Sequence, residues 1–126
     1  MINRLITFAE GKLRGFYSVG AYASRTTEED VPVDDDPTQV LLDIDCRGKP
    51  RISCYAQNTD NANAVEFYLD FQVAGGIWWP VLTWNNPGGG AYTNQHLERV
   101  AHRVRLRAAT GQGDTATVNA VLAASH

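Results

Sequence analysis

Ala64-Val65-Glu66-Phe67-Tyr68-Leu69-Asp70-Phe71-Gln72-Val73 is the stretch that decides the fold. In an extended chain Val65, Phe67, Leu69, Phe71 and Val73 point one way, and Glu66, Tyr68, Asp70 and Gln72 the other. At 3.6 residues per turn the same apolar set would spread around a helix, so the segment is a strand with one buried face. Gly75-Gly76 ends it. Ile77 to Asn85 is a second apolar run, closed by the turn signal Asn86-Pro87-Gly88-Gly89-Gly90.

The period of two recurs on both sides. Leu42, Ile44 and Cys46 share one face, opposite Asp43 and Asp45. Gly48-Lys49-Pro50 breaks that strand, and Ile52, Cys54 and Ala56 resume the inward set. A hairpin with position 46 opposite 52 and 44 opposite 54 would place both sets on one face. Further on, Val104, Leu106 and Ala108 alternate with Arg103, Arg105 and Arg107. Gly111-Gln112-Gly113-Asp114 follows, and then Ala116, Val118, Ala120 and Leu122 alternate with Thr115, Thr117 and Asn119. A second hairpin with a four-residue connection is the expectation. Short strands, frequent turn signals and no long helical stripe give an all-β class: one antiparallel β-sandwich or jelly-roll-like barrel with an extended N-terminal region.

The first forty residues read differently. Ile2, Leu5 and Phe8 fit one helical stripe or part of a strand. Gly15 to Ser24 is β-prone but interrupted by glycine, an edge strand in expectation, with Phe16 and Tyr17 as candidate partner-binding residues. Thr26 to Gln39 holds two prolines and six acids and reads as a loop or arm. The division expected is an N-terminal edge strand and acidic loop over 1–39 and a sandwich body over 40–126.

At 126 residues the chain suits one domain and buries roughly two-thirds of its unfolded surface. Hydrophobic residues at 44% exclude global disorder. Eleven Lys and Arg face 14 Asp and Glu, a net charge of −3. Six of the acids, Glu28, Glu29, Asp30, Asp34, Asp35 and Asp36, fall in one stretch; the remainder holds 11 bases and eight acids, or +3. That is too little positive charge for a strongly basic nucleic-acid binder. The start MINRLITFAEGKLRG has no long apolar run or small-residue cleavage site, which points to synthesis in a cytoplasm. No run approaches 18 apolar residues, so no membrane association is expected.

Several constellations carry possible chemistry. Cys46 and Cys54 sit diagonally offset in the expected hairpin and read as two buried free thiols. His96, His102 and His126 lack ligand spacing, and no metal or cofactor motif occurs. A serine nucleophile with a histidine base has no motif behind it. Asp43 and Asp45 suit cross-strand pairing with arginines better than cation binding. Arg103, Arg105 and Arg107 form a ladder that either reads a phosphate backbone or an acidic partner surface, or pairs with Glu66 and Asp70 inside the chain. The acidic segment, Glu28 to Asp36, is the complementary candidate partner surface. Trp78, Trp79, Trp84 and Tyr92 form a candidate glycan platform; Trp78 and Trp84 share one parity, Trp79 the other, so at least one tryptophan belongs to the core.

Ile77-Trp78-Trp79-Pro80-Val81-Leu82, a Gly-rich turn, His102 to Arg107, Thr110 to Asp114 and Ala116 to Ala120 together resemble small β-sandwich virion proteins of tailed bacteriophages. The resemblance covers about residues 64–124. It implies a non-enzymatic structural protein on the capsid surface: a decoration (cement) subunit bound to the major capsid protein or other virion subunits, itself a homo-oligomer, in expectation a trimer. A neck, tail or fibre subunit and a carbohydrate-binding sandwich are the alternatives.

Overall fold

The structure is a computed structural model that describes residues 22–74 and 76–126, with side chains from Thr26 onward. Eight strands follow one another: β1 (Tyr22–Val33), β2 (Val40–Asp45), β3 (Arg51–Asn58), β4 (Val65–Gln72), β5 (Trp78–Asn86), β6 (Tyr92–Glu98), β7 (Arg103–Thr110) and β8 (Ala116–Ser125). They form two four-stranded sheets, ordered β1-β8-β3-β6 and β2-β7-β4-β5, with every pairing antiparallel. That order is a jelly roll, in which the chain passes from sheet to sheet and only β4 and β5 follow one another within a sheet.

The topology overturns both expected two-strand pairings beside the deciding stretch. β2 pairs with β7, and β3 with β6 and β8, so β2 and β3 lie in different sheets. β7 pairs with β2 and β4 while β8 pairs with β1 and β3, so Gly111 to Thr115 also crosses between sheets. Alternation says that a strand has one buried face; it does not say whether the next strand lies beside it or across the core. Stacked sheets are only about 10 Å apart, which a five-residue connection spans.

The inner faces match the alternation. Leu42, Ile44, Val65, Phe67, Leu69, Val104, Leu106 and Ala108 meet Ile52, Cys54, Ala56, Val118, Ala120 and Leu122 in one core. Each large side chain there adds roughly 1.5–3 kcal/mol by leaving water. Cys46 and Cys54 are buried free thiols, as expected, although they sit on different sheets. Burial raises Cys54 to about 12 and Cys46, helped by the nearby Asp45 charge, to about 11.

The acidic stretch is not an arm. Residues as far as Val33 belong to β1, which pairs with β8 from Tyr22 to Val33. The register shifts between Glu28 and Val31, and Asp30 adopts φ 53, a left-handed conformation that aspartate tolerates. Its backbone N–H donates to Asn119 Oδ1 at 2.8 Å. Exposed acids and a bulge on an edge strand discourage a further strand from pairing there. Asp34 to Gln39 then forms a folded loop. The Asp36 N–H donates to Asp34 Oδ1 at 3.0 Å, and Thr38 donates to Asp36 Oδ1 through its N–H and hydroxyl at 2.9 and 2.7 Å. Gly113 N–H reaches Asp35 Oδ2 at 3.0 Å. Phe16 and Tyr17, with Ile2, Leu5 and Phe8, lie outside the described residues.

Strand β6 has no counterpart in the sequence reading. Its outward residues Tyr92, Asn94, His96 and Glu98 are exposed and its inward ones Thr93, Gln95 and Leu97 only half-buried, so no strong apolar alternation marks it.

Candidate functional site

Outward-facing residues of β2, β7, β4 and β5 stack in rows across one sheet. Asp45, Arg103, Gln72 and Trp78 make one row; Asp43, Arg105, Asp70 and Pro80 the next; Arg107, Tyr68 and Thr83 a third. At its centre Asp70 is 1% exposed. Arg105 Nε donates to Asp70 Oδ2 at 2.8 Å, and Arg107 donates through Nε at 2.5 Å and Nη2 at 3.1 Å. Burial pushes the Asp70 carboxyl up, but the two arginines outweigh it and hold the carboxyl below its ordinary value. Arg107 Nη1 also reaches the Pro37 carbonyl at 2.6 Å, tying the acidic loop to the sheet. Arg103 pairs with Asp43 at 2.8 Å, and Asp45 with Arg47 at 2.6 Å. The Tyr68 hydroxyl donates to Glu66.

Both outward aromatic rings on this face carry a guanidinium. Arg105 lies 4.2 Å from the centre of the Trp78 ring, and Arg107 4.6 Å from that of Tyr68. The arginine ladder therefore takes the second of its two sequence readings at Arg105 and Arg107: it pairs inside the chain. Glu66, the other acid named for it, binds Tyr68 instead.

The four aromatics of the glycan reading do not meet on one platform. A bulge shifts the β4–β5 register between Leu69 and Asp70, so Leu69 faces Leu82 while Asp70 faces Pro80. The shift reverses the parity on which Trp78 and Trp84 were grouped. Trp84 pairs with Phe67, stacks on it at 5.6 Å and packs against the core. Its Nε1–H is buried with no hydrogen-bond partner. Trp78 lies on the opposite, outer face under Arg105. Trp79, paired with Phe71, emerges 56% exposed near the start of β5. Tyr92 sits on the other sheet, its ring 5.6 Å from Tyr55.

The two ends of the sandwich differ. One end gathers the connections 46–50, 73–74 with 76–77, and 99–102, with bonds from Cys46 N–H to the His102 carbonyl at 2.9 Å, His102 N–H to the Gln72 carbonyl at 2.8 Å and Arg99 N–H to the Pro50 carbonyl at 2.8 Å. Val73 (42%), Ile77 (58%) and Val100 (90%) are exposed on these connections, and Trp79 is exposed on β5 two residues after Ile77. These connections hold Arg47, Lys49 and Arg99 and no acid. The opposite end gathers 34–39, 59–64, 87–91 and 111–115, which hold Asp34, Asp35, Asp36, Asp60 and Asp114 and no lysine or arginine. Gly88 is packed against this end so closely that a Cβ would come within 2.9 Å of the Asn61 backbone, and Gly89 N–H bonds the Asp60 carbonyl. Asp60 Oδ2 accepts from the N–H groups of Ala62 and Asn63 at 2.9 and 2.7 Å, bonds that lower its pKa.

Exposed valine, isoleucine and tryptophan on neighbouring turns were not singled out in the sequence as a group, because 73–77 and 99–102 are far apart along the chain. Ser53 and His96 are likewise brought together only by the β3–β6 register, at 3.0 Å on an open sheet face. Among the described residues no helix is long and apolar enough to cross a membrane.

No protein-family model matches this chain, and no curated protein does. Solved structures with a related arrangement include the Yersinia pseudotuberculosis-derived mitogen, at 12% identity over 82% of this chain and 86% of that one, with a TM-score of 0.49. PirA matches at 16% identity over 82% and 94%, TM-score 0.41. Infectious bursal disease virus Gt strain matches at 10% identity over 84% of this chain and 33% of that one, TM-score 0.40. At these scores none bears on what this chain does.

Proposed function

We propose that the chain is a non-enzymatic virion structural protein of the capsid decoration (cement) type, acting by binding other virion subunits. The observation that carries the reading is the end of the sandwich whose connections and first β5 residues carry exposed Val73, Ile77, Trp79 and Val100 together with Arg47, Lys49 and Arg99. Clustered apolar side chains within a basic rim are the chemistry of a protein-docking surface, with tryptophan and arginine the residues that most often carry interface energy. The sequence resemblance to phage virion proteins supports the particular class. A jelly roll serves capsid and lectin domains alike, so the fold alone does not choose between them. The glycan reading loses its platform, because Trp78 is capped by Arg105 and Trp84 faces the core.

In this reading the docking end, rather than the arginine ladder or a free acidic arm, makes the first contact with the particle. Genes for a major capsid protein and a maturation protease beside this one would support it; a neighbourhood of metabolic genes would count against it. The direct test mixes the purified chain with capsids assembled from that neighbouring capsid protein and sediments them. The chain should co-sediment, and Trp79→Glu should abolish this while melting unchanged. Absence of co-sedimentation at saturating concentrations sinks the decoration role. Binding to tail or neck fractions alone would move the protein to that part of the particle.

A further inference from the structure

We infer that copies of this chain bind one another end to end, the apolar basic end of one seated on the acidic end of the next. The inference rests on reading the basic end as a protein-docking surface, and it names a second copy as the occupant between copies, the basic end left open at the foot of a row being the one that meets the particle. Among the described residues, the connections at one end hold Arg47, Lys49 and Arg99, with Arg47 already paired to Asp45, and those at the other hold five acids and no base, so Lys49 and Arg99 are the groups whose charge the acidic end complements. Asp35, Asp36 and Asp60 accept hydrogen bonds from neutral N–H and hydroxyl donors, which fix the carboxylates without cancelling their charge. Exposed Pro37, Pro87 and Val40 at that end offer apolar surface to Trp79, Ile77 and Val100.

Competing geometries are less favourable. A two-fold contact between basic ends would set Lys49 and Arg99 against their own copies, like charge on like. Of the four edge strands, β5 is protected from lateral pairing by Pro80 and the bulge, and β1 by its acids and bulge, while pairing at β2 or β6 would leave the complementary ends unused. An end-to-end contact is heterologous and continues into a ring where the rotation closes and into a chain where it does not. The end of a four-stranded, two-sheet sandwich measures roughly 20 Å by 20 Å, about 400 Å² per partner. That falls in the weak class of interfaces, so association belongs at tens of micromolar and above and gains from repetition on a lattice.

The test uses two variants of the whole chain. Trp79→Glu with Arg99→Glu blocks the basic end; Asp35→Lys with Asp114→Lys blocks the acidic end. In sedimentation velocity the wild type should associate increasingly with concentration, and at least tenfold less tightly in high salt. Each variant alone should remain a monomer. Mixed in equal amounts they should form a one-to-one dimer and nothing larger, because one intact pair of ends remains. A wild type that stays monomeric at several hundred micromolar overturns the inference. So does a mixture without the dimer, or a variant that associates as the wild type does. Loss of capsid binding in the basic-end variant without dimer formation in the mixture would remove self-association and leave the docking reading standing. If either double variant fails to melt cooperatively, Arg99→Glu and Asp114→Lys singly go through the same mixing.

Discussion

The outer face of the β2-β7-β4-β5 sheet and the apolar basic end are both rich in arginine and tryptophan, yet they stand in opposite states. On the sheet face Asp70 takes bonds from Arg105 and Arg107, and their guanidiniums cover Trp78 and Tyr68. At the end Trp79 is 56% and Val100 90% exposed. The difference is one of neighbours. A residue in the middle of a sheet has cross-strand partners about 5 Å away on each side, and these absorb charge and ring alike. Ile77 and Val100 lie on connections without such partners, and Trp79, although paired with Phe71, stands on an edge strand just after a turn, so what they display is left for another molecule. A charged row in a sequence is therefore weaker evidence of a binding surface than an apolar pair on two turns.

The contrast is most easily broken at Asp70. Asp70→Ala leaves two arginines with no buried counter-charge and should cost about 3–5 kcal/mol, lowering Tm by about 10 °C or more in a calorimetric scan. A change below 1 kcal/mol would show that the face is not self-satisfied. Replacing Asp70, Arg105 and Arg107 together by leucine, methionine and methionine should cost much less than Asp70→Ala, since the desolvation penalty disappears with the charges. Arg105→Glu should destabilise by about 2–3 kcal/mol, because it sets a carboxylate beside Asp70 and strips the cation from Trp78.

Acid sharpens the same point. The Asp70 carboxyl is held below its ordinary value, so its contribution is present above about pH 4 and is lost as pH falls through its folded pKa. Stability measured by urea unfolding should fall more gently as pH drops below about 4 in Asp70→Asn than in the wild type. At the end of the sandwich the expectation reverses. Trp79→Ala should change stability by no more than about 0.5 kcal/mol while removing association. The smallest effect belongs to the thiols. Cys46 and Cys54, raised to about 11 and about 12, should resist a thiol reagent at pH 8 in the native protein, and both should react once it is unfolded.

Much of the fold was legible because burial imposes a period. Val65, Phe67, Leu69 and Phe71, or Val104, Leu106 and Ala108, can share a face only in a strand, and they occupy the core. β6 escaped because its inward residues are polar or half-buried. The acids of Glu28 to Asp30 disguised β1, since an exposed edge strand tolerates charge that a central strand would not. The candidate site was legible in its parts: pairing of the arginines with Asp70 was one of the readings left open, and at least one tryptophan, though not which, was expected in the core. The tryptophan parity failed at a single bulged residue, which no alternation count reveals.

The sequence by itself determined that this is an all-β chain, the buried faces of β2, β3, β4, β7 and β8 with the turns between them, and that its two cysteines are interior, because each follows from local period and composition. Only the tertiary structure decided which strands pair, whether Arg105 and Arg107 face a partner or Asp70, and that Val73, Ile77, Trp79 and Val100 meet at one end with the acids at the other. The physical reason is that alternation is a property of one strand, whereas register, sheet membership and the gathering of distant connections are properties of how strands close around a common core.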